Sequence, residues 1–184
     1  MNDQPHRLAV EGFNAHLRAP ELDLAVSTGG RAWPRDLMGP QGLLLVFYRG
    51  HWCPYCRRYL GKLAANATRF AQRGVKIAAV SPEPPITSNQ LRAKLQLPFP
   101  LLCDTQGIAI DAYGVRAGRR GTATPRGSAS LLPHPAVFLI DAEFVIRFHR
   151  IDRNFKRRTT MHTLFGAVGS LQSATVLKAQ LAAG

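Results

Sequence analysis

The chain has 184 residues, 46% of them hydrophobic and 19% charged, a balance suited to one globular domain with a real core. Formal net charge is +13, from 24 basic and 11 acidic residues, and there are three cysteines. No apolar run approaches the ~20 residues needed to span a membrane, and so few cysteines exclude a secreted disulfide framework. The first residues, MNDQPHRLAVEGF, contain no apolar core of signal-peptide type. The expectation is a soluble, cytoplasmic protein in which a close cysteine pair is catalytic rather than structural.

In chain order, residues 1–19 offer only Leu8, Val10 and Phe13 as the start of a short helix, and they read as a loose N-terminal extension. Leu24–Ser27 and Arg31–Trp33 read as a small hairpin about Thr28-Gly29-Gly30. Asp36–Met38 is a single helical turn stopped by Gly39-Pro40. Leu43–Tyr48 is an apolar run read as a buried strand, and it ends in the turn signal Arg49-Gly50-His51. A helix is predicted over 54–73, with Cys56, Tyr59, Leu60, Leu63, Ala64, Ala67 and Phe70 on one face and Gly74 as its stop. Val75–Val80 is the second core strand.

A proline-rich loop, Ser81–Pro85, precedes a helix that the capping box Thr87-x-x-Gln90 starts at Ser88 and that runs to Gln96. Phe99–Cys103 is a short strand and Gly107–Tyr113 a short helix. Residues 116–130 are loop-like, long enough to suggest function or mobility. Val137–Ile140 and Phe144–Phe148 are strands joined tightly at Asp141-Ala142-Glu143. Met161, Leu164, Phe165, Val168 and Leu171 mark a closing helix, expected to break near Gly169-Ser170. This order is an α/β fold with a central mixed sheet flanked by helices and an N-terminal β-hairpin extension. One domain covers residues 1–184.

The chemistry gathers in FYRGHWCPYCRR, residues 47–58. A strand that delivers two cysteines, two residues apart, to a helix start is a redox arrangement first and a metal site second. Cys53 falls at the N-cap and Pro54 at the first helical position, where its missing N–H has no partner anyway. Unpaired backbone N–H groups and the positive end of the helix dipole favour thiolate over thiol there, and the thiolate is the nucleophile. Cys56 lies one turn in, placed to attack an intermediate on Cys53 and close a disulfide. A structural zinc site is the competing reading; it wants four ligands, and the chain has no second Cys-x-x-Cys or His-x-x-x-His.

This stretch resembles the peroxiredoxin-like (AhpC/TSA, redoxin) branch of the thioredoxin-like superfamily, which carries Trp-Cys-Pro-Tyr-Cys after Phe-Tyr-Arg-Gly. LPFPLLCDTQGIAIDAYGV (97–115) and HPAVFLIDAEFVIRFHRIDRNFKRR (134–158) resemble that family's middle segment and its two late strands with the following turn. The resemblance implies a thioredoxin-like fold and a thiol-dependent peroxidase. In that reading Cys53 attacks a peroxide to give a sulfenic acid, and Cys56 resolves it as a Cys53–Cys56 disulfide. Substrate contacts fall to Arg49, Trp52 and Pro135, the last matching the cis-proline of thioredoxin folds. No cofactor or metal is implied. The implied partners are a hydroperoxide or protein-disulfide substrate, a thioredoxin- or glutathione-type electron donor and a second copy of the chain as a homodimer.

Two positions depart from the pattern. Peroxiredoxins carry threonine or serine three residues before the peroxidatic cysteine, and here Gly50 stands there. Cys103 replaces a small polar residue; it reads as a small buried hydrophobe or as a second resolving thiol. A thiol–disulfide oxidoreductase without peroxide specificity is therefore the alternative, and a redox-sensing or anion-binding module that docks on a partner through its +13 charge is a third reading. The basic stretches 116–126 and 147–158 contain no nucleic-acid motif; they read as a solvated surface or as attraction for an acidic protein. His51 reads as a solvated turn residue.

Overall fold

The computed structural model describes residues 17–118 and 131–182. The helix expected on Leu8, Val10 and Phe13 and most of the 116–130 loop lie outside the described residues. Among the described residues, eight strands form one mixed sheet. They are β1 (Leu17–Arg18), β2 (Leu24–Val26), β3 (Arg31–Ala32), β4 (Gly42–Phe47), β5 (Val75–Ser81), β6 (Leu101–Cys103), β7 (Ala136–Asp141) and β8 (Val145–Ile151). Across the sheet their order is β1-β8-β7-β4-β5-β6-β2-β3. Helices α1 (Pro54–Ala71), α2 (Pro85–Lys94), α3 (Ile108–Ala112) and α4 (Met161–Ala182) pack against it.

β4 lies between β5, which runs parallel to it, and β7, which runs antiparallel. All six of its residues are buried, as an uninterrupted apolar strand covered on both faces must be. The period-2 alternation of a strand divides its side chains between two cores. Leu44, Val46 and Tyr48 point to one, with Leu60, Leu63 and Phe70 of α1 and Leu164, Val168 and Leu171 of α4. Leu43, Leu45 and Phe47 point to the other, with Ile110 of α3, Tyr113 and Phe138. The expected β2–β3 hairpin is present, and β2 also pairs with β6, so the extension is continuous with the sheet.

Three expectations are corrected. α2 begins at Pro85, ahead of the Thr87 capping box, with Pro84 as its N-cap. Proline is tolerated in the first helical turn, where its N–H would be unpaired, so the proline-rich stretch starts the helix instead of delaying it. α4 runs unbroken through Gly169 and Ser170. A mid-helix glycine costs only about 1 kcal/mol, less than burial of Leu164, Val168 and Leu171 returns. Phe165 also stacks on Phe70 at 4.5 Å, which ties α4 to α1. Finally, Pro135 is trans, as is every peptide bond among the described residues. Its carbonyl accepts the Asp152 N–H at 2.8 Å, so it continues the β7–β8 ladder in extended backbone, the default state of an X–Pro bond.

Phe138 is fully buried and packs edge-on against Phe47 and Tyr113 while stacking on His149. Phe138→Ala is expected to cost about 3–5 kcal/mol, measured by urea unfolding. A loss below 1 kcal/mol would mean that this cluster does not hold the sheet as described.

Candidate active site

The strand directions decide what meets at the end of β4. β5 runs parallel to β4. β8 is antiparallel to β7, itself antiparallel to β4, so β8 also points the same way. The residues following β4, β5 and β8, and those preceding β7, therefore converge on one edge. That edge holds the Arg49–Cys56 segment, the Pro82–Pro84 loop, the Asp152–Thr159 loop and His134-Pro135.

The dithiol segment makes a tight turn before the helix. The Cys53 N–H donates to the Gly50 carbonyl at 3.2 Å, and the Cys53 carbonyl accepts the Arg57 N–H at 3.1 Å, the first bond of α1. Cys53 is the N-cap in extended conformation and Pro54 follows at the first position, as expected from the sequence. Both sulfurs are buried and both cysteines are free. The Arg49 N–H donates to Cys56 Sγ at 3.4 Å, and Arg158 Nη2, 102 residues downstream, donates to the same sulfur at 3.0 Å.

These contacts separate the two thiols. Burial pushes the Cys53 thiol up, but hydrogen bonds from the Cys56 thiol and the Cys56 backbone N–H, with the charges of Arg158 and Arg49, outweigh it and hold Cys53 below the ordinary cysteine range. Cys56 is pushed up, by burial first and then by its role as donor to Cys53, with the Arg49 N–H and Arg158 opposing. Two thiols this close share one favourable anion site, and the N-cap sulfur takes it.

A buried carboxylate braces the turn from the β5 side. Glu83 Oε2 accepts the His51 N–H at 2.8 Å, and Glu83 Oε1 contacts His51 Nδ1. His51, expected to be merely solvated, thus has a fixed partner. Gly50 lies between them with φ of +150°, outside the range that side chains favour. A Cβ there would sit 2.6 Å from Trp52 Nε1 and 2.9 Å from Glu83 Oε1. Neither a threonine nor a serine fits that position.

Of the other residues singled out, Trp52 is 49% exposed and so belongs to the rim, not to the core. The Arg49 guanidinium lies over its ring at 5.0 Å and over the Phe155 ring at 4.9 Å. Pro135 precedes Ala136, which pairs with Phe47, so it stands beside the end of β4 as expected, though trans. Cys103 lies on β6, two strands from β4, where it pairs with Ser81 of β5, and burial pushes its thiol up. That position suits a small core residue. Sequence reasoning missed Glu83 and Arg158. An acid enclosed by two prolines after a core strand parallel to the motif strand was a usable signal for Glu83. Nothing local distinguished Arg158 among its basic neighbours. Among the described residues, no group of three or more His, Cys, Asp or Glu side chains converges as metal ligands do.

A mixed sheet whose central strand presents Cys-x-x-Cys at a helix start defines a thioredoxin-like redox protein. Residues 16–149 match the AhpC/TSA family, and the chain belongs to that family. Among curated proteins it is 30% identical over 126 residues to the thiol-disulfide oxidoreductase ResA of Bacillus subtilis, covering 68% of this chain and 60% of the relative. It is 35% identical over 83 residues to ResA of Halalkalibacterium halodurans, covering 45% of this chain and 46% of that one. The chain thus spans at most about three-fifths of these relatives' length. Among solved structures it resembles peroxidoxin BcpB of Mycobacterium tuberculosis, with TM-score 0.70 and 20% identity over 85% of this chain and 94% of that one. Peroxiredoxin Q of Xanthomonas campestris gives TM-score 0.66 and 22% identity over 83% and 90% of the two chains. At these identities the solved structures establish the thioredoxin-like fold.

Because Cys53 is held low, its alkylation by iodoacetamide, followed by peptide mapping, is expected to reach half-maximal rate at a pH below that of free cysteine. Arg158→Gln removes a charge that favours the thiolate, so the profile moves to higher pH and the rate at pH 7 falls severalfold. An unmoved profile in that variant would mean the guanidinium does not act on the pair.

Proposed function

We propose that this chain is a thiol–disulfide oxidoreductase rather than a peroxidase, with Cys53 as nucleophile and Cys56 as resolving thiol. The observation that carries the reading is the closed position at Gly50. The peroxidatic pattern needs a hydroxyl there to align the peroxide, and here Trp52 and Glu83 occupy its space. A disulfide substrate needs no such group, because its reacting sulfur is positioned by the partner's own chain. The curated relatives that bear the name thiol-disulfide oxidoreductase support the same choice.

The Cys53 thiolate attacks one sulfur of the substrate disulfide, and the other sulfur leaves as a thiolate. The mixed disulfide is then attacked by Cys56. As the Cys56 proton passes to a departing thiolate, the growing charge on Cys56 Sγ is met by Arg158 Nη2 and the Arg49 N–H. The products are a Cys53–Cys56 disulfide and a reduced substrate carrying the two electrons. A thioredoxin-type dithiol, or two glutathione thiols in succession, restores the pair. Glu83 and His51 hold the turn, so that Cys53 stays at the N-cap throughout.

Reduced protein is expected to reduce insulin and hydroxyethyl disulfide at rates at least a hundredfold above a free thiol at the same pH. Cys53→Ser abolishes the reaction, and Cys56→Ser stops it at a mixed disulfide visible by mass spectrometry. Hydrogen peroxide is consumed at a free-thiol rate. Rapid peroxide turnover with no disulfide reduction would overturn the reading and restore the peroxidase.

A further inference from the structure

Five basic side chains surround the dithiol edge without a carboxylate partner among the described residues. Arg57 and Arg58 lie near the start of α1, and Arg153, Lys156 and Arg157 on the loop after β8. The last three are exposed. The acids on this side are spent inward. Glu83 is buried against His51, and Asp152 is buried with Arg150 at 3.5 Å. The positive field reaches the site, since burial first, and then Arg153 and Arg49, hold His134 below the ordinary histidine range.

The same edge carries an apolar ridge. Phe155 is 44% exposed and Trp52 49%, and the two rings are joined into one patch by Arg49. Tyr55 meets Phe155 edge-on at 6.0 Å, and Arg49 is held between the Phe155 and Trp52 rings. A rigid aromatic and arginine centre within a charged rim is the composition of a protein-binding surface.

We infer that this edge docks an acidic, disulfide-bearing protein, with Trp52, Arg49 and Phe155 as the contact ridge and Arg153, Lys156 and Arg157 as the steering charges. The inference rests on the proposed thiol–disulfide exchange and specifies its substrate class. A protein is favoured over a nucleic acid because the ridge ends at the dithiol, whose chemistry a nucleic acid has no use for. An excess of positive charge raises the encounter rate with an acidic partner and is screened by salt, since the Debye length falls from ~30 Å at 0.01 M to ~3 Å at 1 M.

The test uses the reduced full chain with three probes: hydroxyethyl disulfide, and two peptide disulfides of identical core flanked by glutamates or by lysines. At low salt the glutamate peptide is expected to be reduced at least tenfold faster than the lysine peptide, with the gap closing in 0.5 M salt. In the double variant R153E/K156E, the ratio of the glutamate-peptide rate to the hydroxyethyl disulfide rate falls at least fivefold; the ratio cancels any general damage to the fold. Equal peptide rates in the wild type overturn the docking surface and leave the exchange reaction standing. No reaction with hydroxyethyl disulfide above a free thiol overturns the exchange reading itself. A mixed-sequence oligonucleotide that binds more tightly than the glutamate peptide in the same buffer assigns the edge to nucleic acid and overturns the inference.

Discussion

Keeping one of two neighbouring sulfurs anionic, out of water, is the constraint on which the rest of the site depends. Burial alone opposes any charge on Cys53. The largest opposing contributions come from Cys56 itself, through its thiol and its backbone N–H, and the charges of Arg158 and Arg49 add to them. The helix start supplies backbone N–H groups. Cys56 Sγ in turn accepts the Arg49 backbone N–H on one side and the Arg158 guanidinium on the other. Because the second sulfur acts as donor to the first, the pair is unequal before any substrate arrives. Exchange needs that inequality, since one thiol must attack and the other must wait.

The sheet makes this assembly possible through direction rather than sequence proximity. β4, β5 and β8 end on one edge and β7 begins there. Glu83 and Arg158 are therefore brought to the dithiol although they lie 30 and 105 positions from Cys53. The central strand is buried on both faces, so its end is fixed by two cores at once. A site built on such a strand inherits its rigidity, and the turn at Gly50 needs only Glu83 to complete it.

Much of this was legible in the chain. Continuous apolar runs marked β4 and β5, and the spacing of Cys56, Leu60, Leu63 and Phe70 marked the face of α1. The Cys-Pro-x-Cys order placed Cys53 at the N-cap. These are local signals with a fixed period or a fixed cap chemistry. What escaped was of two kinds. The helix start at Pro85 and the unbroken helix at Gly169 depart from the sequence expectation because propensity is a weak prior that first-turn tolerance and core burial override. Glu83 and Arg158 were missed because their roles arise only when the sheet closes. The trans state of Pro135 shows the reverse limit: a resemblance supplied a local geometry, and the backbone pairing with Asp152 is met without it.

The contact between Arg158 and Cys56 joins the two ends of the fold, and it dates the site. A chain emerging from synthesis carries its cysteines long before residue 158 exists. Until β8 and the loop after it are in place, those thiols lack the Arg158 guanidinium. With one charge that favours the thiolate still missing, the pair is less acidic than in the folded protein, and thiol acidity itself becomes a measure of how complete folding is.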